Sequence, residues 1–252
     1  MSHVRAFHEG LLPPVDSEII LYPEESRHLV RVRRVRVGES VEVLDGKGGV
    51  AIGVLMNDEA PARIRVDKIL RHPAPAPAPL VLAVGLPKGG LLEEIIRQAT
   101  ELGATALQPL LTERAETRHA DPDRLAHKQS RWHSAAVEAC KQSGNPWRPE
   151  ILAPVNLQDW LSSLKAKTFA STSSKAVRLV ASLEVGAKLL SLSSFVPQSP
   201  VLIAIGPEGD FTPAEYAELA AADFASVRLP GHILRVETAC AAALSLLAKG
   251  TS

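Results

Sequence analysis

Apolar and polar positions change period along the chain, and the change divides it in two. Ser40-Val-Glu-Val-Leu-Asp45 alternates with period two. Asp45-Gly46-Lys47-Gly48 reads as a turn, and Val50-Ala-Ile-Gly-Val-Leu55 reads as a return strand. Ala62-Arg-Ile-Arg-Val-Asp-Lys-Ile-Leu70 alternates again. Closing such strands into a small barrel removes their open edges, so residues 1–72 are expected to form one. From residue 80 the pattern differs. Short apolar runs at Leu80–Gly85, Val177–Ser182 and Val201–Ile205 read as buried strands. Between them lie segments of helical spacing. Leu92, Ile95, Ile96, Ala99 and Leu102 share a face that ends at Gly103, a helix C-cap. Asp121-Pro122 opens a second helix running to about Ser143. Thr212-Pro-Ala-Glu215 is a capping box, and an alanine- and leucine-rich helix spans roughly Thr238 to Ala248. Strands alternating with helices imply an α/β domain whose mostly parallel sheet is covered on both faces.

Residues 73–79 read Pro-Ala-Pro-Ala-Pro-Ala-Pro. Proline at every second position removes backbone donors and fixes φ, so this piece is expected to be a stiff spacer between domains at 1–72 and 80–252.

Composition narrows the function classes. With 28 basic and 28 acidic residues the net charge is zero, which argues against a nonspecific polyanion binder. The first ten residues lack the apolar core of a signal peptide, and no apolar run reaches membrane-spanning length. The reading is therefore a cytoplasmic protein without membrane contact. Cys140 and Cys240 stand apart in apolar surroundings and are expected to be reduced packing residues. The eight histidines form no metal pair at helical spacing, so no metal is expected. Trp132, Trp147 and Trp160 read as packing residues, and Ser171–Ser174 as a polar loop.

Two segments carry candidate chemistry. In Ile203-Ala-Ile-Gly-Pro-Glu-Gly-Asp-Phe-Thr-Pro-Ala-Glu215 an apolar strand enters a glycine-rich turn and then a capped helix. In Val227-Arg-Leu-Pro-Gly-His-Ile-Leu-Arg-Val-Glu-Thr-Ala239 a second short apolar stretch enters a glycine turn before the last helix. Ligands in open α/β sheets bind outside the carboxyl ends of strands. Each segment alone also fits an ordinary turn, with Thr238 as a helix cap and Arg235 and Glu237 as a surface pair. Together they fit one shared crevice better.

The same pair resembles the SPOUT class of methyltransferases, and the bacterial 16S rRNA uridine-N3 methyltransferase family in particular. The resemblance spans nearly the whole chain. It includes Arg27–Gly38 as the entry to a PUA-like barrel, Leu86-Pro-Lys88 and Ile95–Gly103 at the first helix, Pro109–Arg114, and Glu138–Gly144. It implies an α/β domain with a deep trefoil knot, S-adenosylmethionine as cofactor, a homodimer, and 16S rRNA or the small ribosomal subunit as partner. By the same resemblance Ile205, Gly206, Pro207, Glu208 and Gly209 form one wall of the cofactor pocket. Leu229, Gly231, Ile233, Leu234, Arg235 and Thr238 form the other, and Leu183 reaches the same pocket. Two positions depart from the family pattern. Asp210 stands where the loop usually continues with glycine, and Asn145, followed by Pro146-Trp147-Arg148, stands where an arginine is common.

Methylation at N3 of a uridine requires loss of the N3 proton, so a base, or a cation that stabilises the imide anion, is useful. The candidates are Arg114, Glu208, Arg235 and Glu237, unranked. In residues 1–72 basic and acidic residues balance at 11 each, yet Arg27, Arg31, Arg33, Arg34 and Arg36 occupy a window without acid. With Arg5, and Phe7 beside it, these are the candidate RNA-binding residues, since guanidinium groups clamp phosphates bidentately. Alternatives remain: a related enzyme acting on another RNA, such as a ribose 2′-O-methyltransferase of tRNA, or a non-catalytic RNA-binding protein of the same fold. A dinucleotide-dependent oxidoreductase is disfavoured because no Gly-x-Gly-x-x-Gly follows a strand.

Overall fold

The computed structural model describes residues 4–72, 79–115, 122–166, 176–184, 186–191 and 199–248. Most of the proline–alanine spacer, Asp121 and Ser171–Ser174 lie outside the described residues. The chain divides into two compact units. The first contains residues up to Ala74 together with Val137–Arg148, and the second contains Pro75–Ala136 and Pro149–Ser252.

The first unit begins with β1 (Val4–Phe7), β2 (Glu18–Ile20), α1 (Pro23–Arg27) and a single π turn (His28–Val32). It continues with β3 (Ser40–Leu44), β4 (Gly49–Leu55) and β5 (Arg63–Arg71). The strands pair in the order β1-β3-β4-β5-β2. β1 runs parallel to β3, and the other pairs are antiparallel. Alternation along the strands sends Val41, Val43, Ala51, Leu55, Ile64 and Val66 into one core with Ile19, Leu21 and Leu29. The β3–β4 hairpin turns where the sequence places it. The buried Asp45 carboxylate accepts the N–H groups of Lys47 (2.7 Å) and Gly49 (2.8 Å), and also binds Arg71 at 2.9 Å. This local satisfaction of the backbone is what makes Asp a turn former. The segment 137–148 joins the unit by burying Cys140 among Phe7, Leu44 and Val50, while Lys141 pairs with Glu25.

The second unit contains β6 (Leu80–Gly85), α2 (Leu91–Glu101), β7 (Ala106–Leu111), α3 (Pro122–Ser143, within this unit up to Ala136) and β8 (Glu150–Ile151). There follow β9 (Val155–Asn156), α4 (Leu157–Ala166), β10 (Val177–Ala181), β11 (Lys188–Leu189), β12 (Val201–Ile205), α5 (Pro213–Ala221), β13 (Ala225–Arg228) and α6 (Val236–Leu247). The sheet order is β11-β13-β10-β12-β6-β7-β8, with β9 also on β7, and every pair is parallel. Both faces are covered, which explains the unbroken apolar runs. Along β12, Ile203 and Ile205 pack with α2 and α6, while Leu202 and Ala204 face α4 and α5.

α2 ends as expected, with Gly103 at φ +78. The Thr212 box is complete: its hydroxyl accepts Glu215 N–H, and the Glu215 carboxylate accepts Thr212 N–H. α6 differs. It begins two residues early, at Val236, with Arg235 as the N-cap residue, so Thr238 lies inside the first turn and caps nothing.

Candidate active site

β13, β10 and β12 are neighbours in a parallel sheet, so their carboxyl ends reach the same edge. The segments leaving them, Ser182-Leu183, Gly206–Asp210 and Leu229–Arg235, enclose a cavity of about 650 Å³. That size falls within the range of about 300–1,000 Å³ typical of small-molecule sites.

Backbone geometry shapes the first loop. The N–H of Asp210 returns to the carbonyl of Pro207 at 2.8 Å, and Asp210 itself has φ +60. The loop closes so tightly on Gly206 that a Cβ there would stand 2.7 Å from Asp210 Oδ1 and 3.0 Å from Phe211 N. Gly231 in the other loop has φ +97.

Hydrogen bonds then fix the loop from outside. Glu208 Oε1 accepts the N–H of Lys88 at 3.0 Å. Arg114 Nη1 donates to the carbonyl of Gly209 at 2.7 Å, with its aliphatic stem against Gly209. Glu215 is buried and bridges two chain segments, since its Oε1 accepts Glu113 N–H at 2.7 Å while Oε2 accepts Thr212 N–H at 2.8 Å. Tyr216 donates to Asp210 Oδ1 at 2.9 Å and lies 3.2 Å from the Ala181 carbonyl. Burial, and then the Asp210 charge, push the Tyr216 phenol up from its ordinary value, so it remains a donor.

Of the cofactor-binding candidates, Leu183, Ile205, Gly206, Pro207, Glu208, Leu229, Ile233, Leu234 and Arg235 line the cavity. Gly209, Gly231 and Thr238 are not on its wall. Of the catalytic candidates, Glu208, Arg235 and Glu237 line it, whereas Arg114 braces the loop from behind. The wall also includes Leu91, Ala181, Ser182, His232, Val236 and Ala239, which sequence reasoning did not single out, and Asp210, which it noted only as a departure from the family pattern. Ala181 and Ser182 end a strand already identified, and Val236 and Ala239 are one helical turn apart in α6. Leu91 carries no local signal, because only the tertiary fold brings the start of α2 here.

In the first unit Arg27, Arg31, Arg33, Arg34 and Arg36 are all exposed. Arg27 and Arg31 also line a hollow of about 220 Å³ with Asp58. Arg5 does not share that freedom. Its Nε donates to Glu42 at 2.9 Å, and its Nη1 donates to the carbonyls of Lys141 and Gln142. Phe7 is 3% exposed, so the expectation that it extends the basic face fails: its ring belongs to the core. Arg148 lies over that ring at 5.6 Å and pairs with Glu9. Both cysteines are buried free thiols.

The model of an RNA methyltransferase domain matches residues 74–248, and that of an RNA methyltransferase PUA domain matches residues 21–58. The chain is 34% identical to the ribosomal RNA small subunit methyltransferase E of Synechocystis, over 92% of its own length and 73% of that protein. Its fold is similar to a Legionella pneumophila protein solved with S-adenosylmethionine bound, with a TM-score of 0.84 at 25% identity and 98% and 97% coverage of the two chains. It is also similar to the ribosomal RNA small subunit methyltransferase E of Neisseria gonorrhoeae bound to S-adenosylmethionine. There the TM-score is 0.81 at 27% identity, with 96% and 95% coverage.

Proposed function

The chain belongs to the RNA methyltransferase family that includes the ribosomal RNA small subunit methyltransferases E, and from that premise we propose that it methylates N3 of a uridine in 16S rRNA. The observation that carries the reading is the cavity at the carboxyl ends of β10, β12 and β13. Its residues suit S-adenosylmethionine. Ile205, Leu229, Leu234 and Ala239 offer apolar wall to the cofactor's purine, and Glu208 offers an acceptor to the cofactor's ribose or ammonium group. Gly206 lets the loop fold tightly at the cavity wall, since a Cβ there would strike Asp210 and Phe211. When bound, the cofactor supplies an electrophilic methyl group on a sulfonium.

The protein's own task is then to orient and to manage one proton. Orientation of two reactants is worth about 7–11 kcal/mol of barrier. Glu208 is already engaged with Lys88, and Arg114 braces Gly209. Arg235 and Glu237, both on the cavity wall, are therefore the residues to which this reading gives the chemistry. Glu237 takes the N3 proton, and Arg235 stabilises the negative charge left on the imide. The target base must leave any pairing that covers N3.

Arg27, Arg31, Arg33, Arg34 and Arg36 hold the RNA backbone, and recognition rests on phosphate geometry more than on base stacking. The same reading includes a closed PUA-like barrel at residues 1–72, a trefoil knot at 80–252, a homodimer, and action in the cytoplasm where ribosomes are assembled.

Purified protein should bind S-adenosylmethionine and, incubated with unmodified small subunits, produce 3-methyluridine in nuclease digests read by mass spectrometry. A methyl group found on ribose, or on tRNA alone, would overturn the assignment to N3. Absence of cofactor binding would overturn the enzyme reading altogether.

A further inference from the structure

Asp210 sits on the cavity wall with one carboxylate oxygen committed to the protein. Oδ1 accepts the Phe211 N–H at 2.8 Å and the Tyr216 hydroxyl at 2.9 Å. Among the described residues no donor reaches Oδ2. Tyr216 is itself held: its ring packs edge-on against Phe211, with centroids 5.6 Å apart, and its oxygen lies 3.2 Å from the carbonyl of Ala181, the residue before Ser182. Ser182 Oγ accepts the N–H of Glu184 at 3.1 Å. This relay ties the loop after β10 to the loop after β12 and fixes the plane of the Asp210 carboxylate. A preoriented acceptor binds a ligand without first having to order itself.

We propose that Asp210 is a specificity residue that selects the cationic cofactor over its neutral-sulfur product. The proposal rests on the reading of this cavity as the S-adenosylmethionine site. In the transfer the sulfur–methyl bond breaks and its electron pair remains on sulfur. The methyl carbon bonds to the nucleophilic nitrogen, which gives up its proton. S-adenosylmethionine therefore carries a sulfonium charge that S-adenosylhomocysteine lacks, while both carry the same ammonium, carboxylate and adenosine groups. A carboxylate fixed on the wall attracts the first more than the second, and its attraction falls as soon as the methyl leaves. Each turnover thereby weakens the hold on its own product.

The backbone allows a clean test. At φ +60 asparagine and glycine are the residues best tolerated, so Asp210→Asn removes the charge while keeping the turn, and Asp210→Gly removes the whole side chain. Calorimetric titration of the wild type and both variants with each ligand gives the ratio of the two affinities. S-adenosylmethionine binding should weaken about tenfold in Asp210→Asn, the size expected of one partly screened charge pair, with less than about threefold loss for S-adenosylhomocysteine. Asp210→Gly should lower the ratio likewise. Tyr216→Phe keeps the charge but frees the carboxylate, and should lower the ratio by a smaller factor. Equal weakening of both ligands would show a purely structural residue and overturn the proposal, as would unchanged affinities. A wild-type protein that binds neither ligand would overturn the cofactor site itself and this role with it.

Discussion

Gly85 ends β6 directly beneath the site loop. A Cβ there would stand 2.4 Å from Pro207 Cδ and 2.6 Å from Pro207 N, with rigid proline and backbone on one side and sheet on the other. Gly231 presents the opposite problem. A Cβ there meets only Leu234 Cδ2 at 3.9 Å, an ordinary contact, so space is ample. Its φ of +97 is what an L side chain resists. The two glycines should therefore fail differently. Gly85→Ala should cost about 1–3 kcal/mol of global stability through overpacking, and should displace Pro207 enough to weaken S-adenosylmethionine binding. Gly231→Val should cost about 1–3 kcal/mol of local strain, relieved by rearranging the exposed loop, so cofactor affinity should fall with little change in unfolding midpoint. Urea unfolding and calorimetry on both variants check this. A Gly231→Val protein that binds as tightly as the wild type would remove that loop from the pocket.

At the scale of elements, what could be read in the sequence follows from what is local. The capping box of α5, the Asp45 turn and the C-terminal glycine of α2 are local chemistry, and all three appear where the residues place them. The strands β6 and β12 have the expected bounds because burial on both faces leaves unbroken apolar runs. β1, β2, α1 and the π turn went unread. They are three to five residues long, and tertiary partners hold them rather than propensity: the Ser26 hydroxyl bonds the Leu21 and Tyr22 carbonyls and accepts Ala62 N–H. The site was legible in the same measure. Its two glycine turns were visible, but the Tyr216 relay and the Glu215 bridge are long-range and left no pattern. Glu215 belongs to both categories. Thr212→Ala should cost about 1 kcal/mol as a lost cap. Glu215→Ala should cost more, adding about 1–3 kcal/mol for the orphaned Glu113 N–H, and should loosen the adjacent Arg114 from Gly209. Thermal unfolding that ranks the two variants equally would remove the bridge from the account. The basic segment makes a separate prediction. Replacing Arg31, Arg33 and Arg34 by Ala should weaken rRNA binding and flatten its salt dependence, leaving S-adenosylmethionine affinity unchanged. Equal RNA affinity in filter-binding titrations across salt concentrations would reject the basic face.

At the scale of the whole molecule, the two compact units have separate apolar cores, and each buries one thiol: Cys140 among Phe7, Leu44 and Val50, and Cys240 in the core beneath α6. Burial raises both thiols, Cys140 from 9.0 to about 12, so at pH 8 neither is a thiolate while its unit is closed. Labelling by a thiol reagent therefore reports the opening of each unit separately. A ligand that binds only the folded second unit stabilises it by about 2.7 kcal/mol when present at 100 times Kd. Where opening and closing are fast relative to labelling, Cys240 should then react about 100-fold more slowly with S-adenosylmethionine present. Cys140 should respond far less, because the cavity residues all belong to the second unit. α3 is the element that complicates this, since one continuous helix supplies residues to both units on either side of Ala136 and Val137. If cofactor slows both thiols equally, as peptide mass spectrometry would resolve, then α3 transmits the stabilisation, the chain opens as one cooperative body, and the division into separately opening units fails.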